Sequence, residues 1–455
     1  MSIRFLMLSV LACSLSAVTA QAQPTTERRI QELEEKQKEM NDELRGLREQ
    51  LEREAKNEKV EEVERRQGIL TDEVRRLRES LVLPESKELK SVYGLGPAAS
   101  KVYQRDQGLS IGGYGEFNFK ALIDDKQGEK NEFDFLRFVL YVGYKYNDWI
   151  VLNSEIEFEH ATSSSSVSAS DGSVSVEFAT LDFLLHPMAN ARGGLVLVPV
   201  GFINEIHEPP FYFGNARPEV ERQILPATWR SNGFGFFGEL MPGLTYRTYG
   251  ITSLNAEGFA SSGIRNGRQS GNREVAEDWS WVGRLDYSFL PASLIGASAY
   301  IGDQGQDGVY DGEKRGAFMQ MYELHAQVEM YGFHWRGLAA YTDLDDARAL
   351  SVENEQTIAD SMWGWYTEIA YDVMPWILED TTQYLAPWFR YSKVDTQHTI
   401  PSGFVRDKSQ NRDIFEIGLA YKPIPQVVFK LDYRNQKNAA NSDPDEVRIG
   451  AGFVF

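Results

Sequence analysis

The amino-acid sequence predicts an all-β protein, a sixteen-stranded antiparallel transmembrane β-barrel, preceded by an α-helical coiled coil. Three observations carry that expectation. Apolar residues return every three or four positions up to Leu81 and every second position after Leu109, which separates a helix seam from half-buried strands. Sixteen strand-length stretches then run to the last residue, and their connections alternate short and long. That alternation is the arithmetic of an even-stranded barrel with both termini on the short-turn side. Composition removes the rivals. Hydrophobic residues are 42% and aromatics 12% of the chain, yet mean hydropathy is -0.40, and no stretch after the first twenty residues holds the ~20 apolar residues of a membrane helix. A net charge of -20 lacks the broad basic surface of a nucleic-acid partner. Cys13 is the sole cysteine, so neither a disulfide framework nor a cysteine-based metal site can form.

Residues 1–22 read as a signal peptide: Arg4 precedes an apolar run from Phe5 through Val18, and Ala20-Gln21-Ala22 offers small residues for cleavage before Gln23. Val10-Leu11-Ala12-Cys13 loosely resembles a lipidation box but would leave a short apolar core. Residues 27–83 are dense in Glu, Arg and Lys. Ile30, Leu33, Gln37, Met40, Leu44, Leu47 and Leu51 follow one seam, and Val60, Val63, Gln67, Leu70, Val74, Leu77 and Leu81 follow a second, offset seam. A stripe this narrow is covered best by copies of itself, which predicts a periplasmic coiled coil. Pro84 ends the helix, and 84–108 reads as a linker with Gly94, Gly96 and Pro97.

The barrel is expected over 109–455. Its strands are predicted at 109–123, 133–146, 149–160, 174–186, 193–204, 233–241, 243–254, 278–290, 293–302, 317–331, 333–343, 363–375, 386–396, 412–422, 425–435 and 446–455. Trp279, Trp281, Trp363 and Trp365 stand in outward phase beside long loops, and Trp335 and Tyr421 beside short turns, as two interfacial aromatic girdles require. In 193–204 the run Leu195-Val196-Leu197-Val198 is apolar on both faces and needs cover on both, from a subunit or a folded loop.

Several motifs are decoys. Gly233-Phe234-Gly235-Phe236-Phe237-Gly238 matches a dinucleotide fingerprint but leads into a hairpin, not a helix. His207-Glu208 is followed by two prolines where a zinc helix would continue, and Asp303 to Glu313 lacks calcium-ligand spacing. His325 lies on a polar phase with no nucleophile to pair with it. No catalytic residue, metal or cofactor is expected, and the chain does not read as an enzyme. A wide barrel with a polar interior is an aqueous path by itself. The connection 205–232 holds Phe211, Tyr212, Phe213 and Trp229 with Arg217, Glu219, Glu221, Arg222 and Arg230. It is too apolar to dangle in water, so it is expected to fold into the lumen and set a constriction with those five charges. Arg137, Arg247, Arg284, Arg336 and Arg390 are expected to line the pore. Lys145, Lys430, Arg434 and Arg448 share their polar phase, against Glu155, Glu157, Glu159, Asp286, Glu323, Glu329, Glu368, Asp372, Glu416 and Asp432. That balance does not fix the sign of selectivity.

Gly112-Gly113-Tyr114-Gly115-Glu116, the stretch 133–159, and Gly201-Phe202-Ile203-Asn204-Glu205-Ile206-His207-Glu208-Pro209-Pro210 continuing to Pro226-Ala227-Thr228-Trp229-Arg230 resemble the phosphate-selective porin O/P superfamily. The likeness covers roughly 109–455 and is most specific between Asn204-Glu205 and Thr228-Trp229. It implies a homotrimer in bacterial outer-membrane lipid, constricted by inward loops, with the terminal strand presented to the barrel-assembly machinery. Its solutes would be small anions such as phosphate or dicarboxylates, although the family's lumen arginine ladder has no strand-by-strand match here. A general or cation-preferring porin, and a plugged barrel acting as an envelope spacer through its coiled coil, are the alternatives.

Overall fold

The computed structural model describes residues 26–54, 66, 68–70, 89–123, 130–160 and 172–455. The signal segment 1–22 and most of the second helical series lie outside them. Contacts divide the chain into a unit up to Glu88 and a unit Leu89–Phe455. In the first, Thr26–Glu54 is one continuous α-helix, and Ile30, Leu33, Gln37 and Leu44 are less exposed than their neighbours, the narrow stripe of the first seam. No described helix is long and apolar enough to cross a membrane.

The second unit is a closed antiparallel barrel of sixteen strands. They are β1 Gly108–Leu122, β2 Glu132–Lys145, β3 Ile150–Glu159, β4 Ser173–His186, β5 Ala189–Leu197, β6 Arg230–Met241, β7 Leu244–Thr252, β8 Trp279–Leu290 and β9 Ser293–Gly302, then β12 Met319–Met330, β13 Phe333–Leu344, β14 Ser361–Tyr371, β15 Tyr384–Thr399, β16 Asn411–Ile424, β17 Val427–Asn438 and β18 Glu446–Val454. A small external hairpin, β10 Val309–Tyr310 with β11 Glu313–Lys314, occupies the stretch that resembled a calcium loop. Each barrel strand pairs with its neighbours in sequence, and β1 closes on β18. All sixteen expected strands are present. β5 departs most from its expected bounds, running Ala189–Leu197 in place of 193–204, and β14 ends at Tyr371 in place of 375. The connection 372–383 departs from the short turns on its side and carries the 3-10 turn Met374–Trp376.

The pleat sends alternate side chains to opposite faces, and here the outer face is the apolar one. Phe133, Leu324, Phe234 and Ile417 are among its exposed side chains, whereas Arg137, Glu155, Arg284, Glu368 and Arg390 point inward and are buried. A water-soluble protein has the reverse arrangement. The last residue completes the closure. Phe455 exchanges two backbone hydrogen bonds with Gly113, both 2.9 Å, and stacks with Phe138 and Phe453.

The expected linker 84–108 is corrected by the structure, because from Leu89 onward it belongs to the barrel unit. Leu95, Ala98 and Ala99 are buried in one cluster with Tyr114, Val139, Tyr141 and Phe178, side chains of the inner wall. Asn153 donates to the Ala99 carbonyl at 2.9 Å, and the Tyr103 hydroxyl donates to Asp182 at 2.7 Å. Residues 89–107 therefore form a strap inside the lumen.

Candidate pore constriction

Residues 198–229 leave β5, cross the lumen and return to β6. The loop starts seven residues before the expected 205 because Val196, Val198 and Val200 are all buried in one apolar cluster with Val220, Ile224 and Trp229. The run that is apolar on both faces is thus covered by a folded loop. The neck is closed by Asn204, whose Nδ2 donates to the carbonyls of Val198 and Trp229 at 2.6 and 2.8 Å and whose Oδ1 accepts the Trp229 amide at 2.7 Å. Asn204 and Trp229 are the ends of the most specific motif in the sequence, and this clasp is the physical reason for both. Above the loop, Leu254, Phe259, Ile264, Tyr310 and Leu350 from the long connections join the same apolar cluster, filling the mouth on that side.

Along the far wall the loop is fastened at many points. Phe202 meets the His325 ring edge to face at 4.8 Å, and the Arg336 guanidinium lies over Phe202 at 4.6 Å. Lys422 donates to the Pro210 carbonyl at 2.6 Å, Arg390 to Phe213 at 2.7 Å and Lys430 to Gly214 at 2.9 Å. The Asn215 amide donates to Asp432 at 2.9 Å. A short helix, Glu219–Gln223, then locks against β14 to β17. Glu219 pairs with Arg412 at 2.8 Å and Arg434 at 3.1 Å, and Glu221 accepts from the Tyr366 hydroxyl and the Ile203 amide, both at 2.6 Å. Burial alone would raise the Glu219 carboxyl, but the guanidiniums of Arg222, Arg434 and Arg412 outweigh it and hold it well below the usual carboxylate range.

Toward β3 and β4 the arrangement differs. Arg265 and Arg268, from the connection between β7 and β8, reach back to the loop. Arg265 donates to the carbonyls of Arg222 and Ala227, and Arg268 to those of Ala227 and Thr228. Burial together with the guanidiniums of Arg268, Arg222 and Arg217 pulls Arg265 down to about 9, and burial with Arg230 pulls Arg268 down to about 10. Both stay charged at neutral pH; burial is the larger cause of the downward pull, and the neighbouring guanidiniums add to it. Among the described residues, Arg217, Arg265 and Arg268 have no carboxylate at ion-pair distance, and Nε and Nη2 of Arg217 are buried without a hydrogen-bond partner. Facing them are Glu157, Glu159 and Glu177. Arg230 pairs with Glu177 at 2.5 Å, and Arg137 bridges Glu116 at 2.9 Å and Glu157 at 3.0 Å.

The sequence-derived set is therefore split. Arg217, Arg222 and Arg230 gather in one cationic cluster, whereas Glu219 and Glu221 are buried fastenings of the loop. Of the expected lining bases, Arg247, Arg284 and Arg336 border a cavity of about 1340 Å³ on the short-turn side, with Glu205, Tyr212 and Asp286. Arg247 and Arg284 are neutralised there by Asp286 and Glu205, and Arg390 is held by Glu368 and Glu416. His207 and Glu208, the zinc decoy, have other partners: His207 meets Glu155 at 3.0 Å, and Glu208 accepts the Ala98 and Ala99 amides. Sequence reasoning missed Arg265 and Arg268. The Gly263-Ile264-Arg265-Asn266-Gly267-Arg268 stretch reads as an ordinary polar loop, and nothing local reports that it folds back onto 226–228.

An uncharacterized protein of Aquifex aeolicus is 35% identical over 390 residues, 82% of this chain and 86% of the relative. The chain belongs to that protein's family. No family model matches it. Among solved structures, OmpF of Salmonella typhi, in a complex with daunomycin, superposes with a TM-score of 0.52 at 11% identity, over 77% of this chain and 98% of that one. An anion-selective porin from Comamonas acidovorans gives 0.48 at 12% identity, over 77% and 100%. The closed sixteen-stranded barrel of this chain has the fold of the OmpF barrel.

Proposed function

We propose that the barrel is an outer-membrane channel for passive diffusion of small hydrophilic solutes, favouring small anions such as phosphate or dicarboxylates. The observation that carries this reading is the cluster formed by Arg217 and Arg222 of the inserted loop, Arg230 at the start of β6, and Arg265 and Arg268 from the β7 to β8 connection, three of which have no carboxylate at ion-pair distance among the described residues. Fixed charge at a narrow, poorly screened point sets the local concentration of permeating ions. The apolar outer face and charged lumen support placement in the outer membrane. We place the barrel in the phosphate-selective porin O/P superfamily on the Asn204 to Trp229 clasp. The same reading includes a cleaved signal at 1–22, a periplasmic coiled coil over 27–83, a homotrimer and assembly through the terminal strand.

A cation-preferring pore is favoured by one observation, the carboxylates Glu155, Glu157, Glu159 and Glu177 on the facing wall. A plugged anchor is favoured by the apolar cluster in the mouth. Single-channel recording in a salt gradient separates the three. A reversal potential of anionic sign is expected. Cationic sign overturns the anion reading, and absence of any conductance leaves the anchor.

A further inference from the structure

We propose that residues 89–107 are a displaceable plug that shuts the short-turn end of the charged path along β3. This inference rests on the channel reading above. From the tight turn toward the long loop, the inward side chains of β3 are Val151, Asn153, Glu155, Glu157 and Glu159. The upper part of that row faces Arg137, Arg217, Arg230 and Arg268. Glu155 meets His207 of the inserted loop. At the Asn153 level the strap takes over, through the hydrogen bond to the Ala99 carbonyl. Residues 90–94 of the strap border the cavity below. A solute passing from the arginine cluster to that cavity along this wall therefore meets Leu95, Ala98 and Ala99, each at most 3% exposed.

The strap fits closely without belonging to the wall. Its Val102 sits against Gly143 of β2, where a Cβ would lie 2.7 Å from the Val102 Cβ. Gly96 sits against Glu208, and a side chain there would fall on the carboxylate. Yet the strap adds no strand to the sheet. Its only β-bridge is its own, Val92 to Leu95, and its hydrogen bonds to the inserted loop run through one side chain, Glu208, whose Oε2 is buried without a partner. The rest of its attachment is the apolar cluster of Leu95, Ala98 and Ala99 with the inner wall and a few side-chain bonds, among them Lys145 to the Arg105 carbonyl and Tyr103 to Asp182. A barrel strand of similar length is held by backbone ladders on both edges. Removing the strap from the lumen thus leaves the barrel's own hydrogen bonds intact.

The test uses the full chain with Val102→Cys and Gly143→Cys, whose Cβ atoms lie close enough to be joined by a disulfide after a small outward shift. Oxidation should hold conductance low, and reduction should raise it severalfold. Equal, nonzero conductance in the two states overturns the plug and leaves the channel reading standing; no conductance in either overturns both. A second variant, Gly96→Leu, should expel the strap while leaving every barrel strand unaltered, raising conductance and exposing Lys101 to trypsin. Unchanged conductance in Gly96→Leu, whether or not trypsin reaches Lys101, overturns the proposal.

Discussion

The two sides of the inserted loop are built differently. Against β14 to β17, ion pairs cancel charge in place, Glu219 with Arg412 and Arg434 and Arg390 with Glu368 and Glu416, while Lys422 and Lys430 hold loop carbonyls. Against β3 and β4, Arg217, Arg265 and Arg268 are left without a carboxylate at ion-pair distance among the described residues, and the strap fills what remains. A buried ion pair that is complete fixes geometry and attracts nothing further. An incomplete one retains a field, and a field is what a permeating ion reads. One wall positions the loop, and the other leaves its charge facing the lumen.

The largest effect is expected from Glu219→Gln, which strands Arg412 in a buried site and leaves Arg434 only Glu416, at 3.7 Å. Leaving buried charges unpaired costs about 3–5 kcal/mol, so the heat-induced shift in gel mobility should move to lower temperature and the open channel should become noisier. An unchanged midpoint would mean that the loop is held by its apolar cluster alone. Next comes the other wall. A unit charge about 8 Å from an ion at an effective dielectric near 20 is worth roughly 2 kcal/mol. Replacing Arg217, Arg222, Arg230, Arg265 and Arg268 by Gln should therefore lower the anion-to-cation permeability ratio by about tenfold or more, read from the reversal potential. Neutralising the exposed Lys314, paired with Asp307 at the rim, should leave that ratio alone because solvent charges are screened.

A smaller effect is expected at the barrel seam. Deleting Phe455 removes its two bonds to Gly113 and its stacking on Phe138, about 1–3 kcal/mol in all, and should reduce the membrane-inserted fraction without stopping export. The smallest and most diagnostic change is in pH. Burial, against the pull of the Ala98 and Ala99 amides, pushes the Glu208 carboxyl from 4.5 up to about 8. If release of the strap returns Glu208 to water, its docked value is the higher one, the protonated acid favours the docked strap, and that contribution is lost as pH rises from about 4.5 through about 8. Glu155 on β3, Tyr141 on β2 and Lys101 on the strap face the same carboxyl, and His207 beside it in sequence is held by Glu155. Conductance should rise across that window in the wild type and lose this slope in Glu208→Gln, where no proton is exchanged.

The strand pattern was legible because alternation is a local property. Phe133, Leu324 and Ile417 must face lipid and Arg137, Arg284 and Arg390 the lumen, and a pleat of period two writes that requirement directly into the sequence. The inward loop was legible for a related reason: Phe211, Tyr212, Phe213 and Trp229 need cover that open water cannot provide. Its starting point was not, since Val198 and Val200 continue the alternation-free run of β5 and only the turn into the lumen ends the strand. The sequence also could not say which charges would be cancelled. Glu219, Glu221, Arg222 and Arg230 lie within twelve residues of one another, yet two became fastenings and two joined the cationic cluster. That division depends on residues brought close by closure of the barrel, Arg412 and Tyr366 on one side, Arg265 and Arg268 on the other. The strap is the extreme case. Gly94, Gly96 and Pro97 read as a linker because they break regular structure, but the missing side chain of Gly96 lets the backbone pass against Glu208. The sequence by itself determined strands, faces and the direction of the loop through hydrophobic periodicity. Only the tertiary structure decided which charges remain unpaired and what fills the lumen, because both depend on distances between segments that the chain keeps far apart.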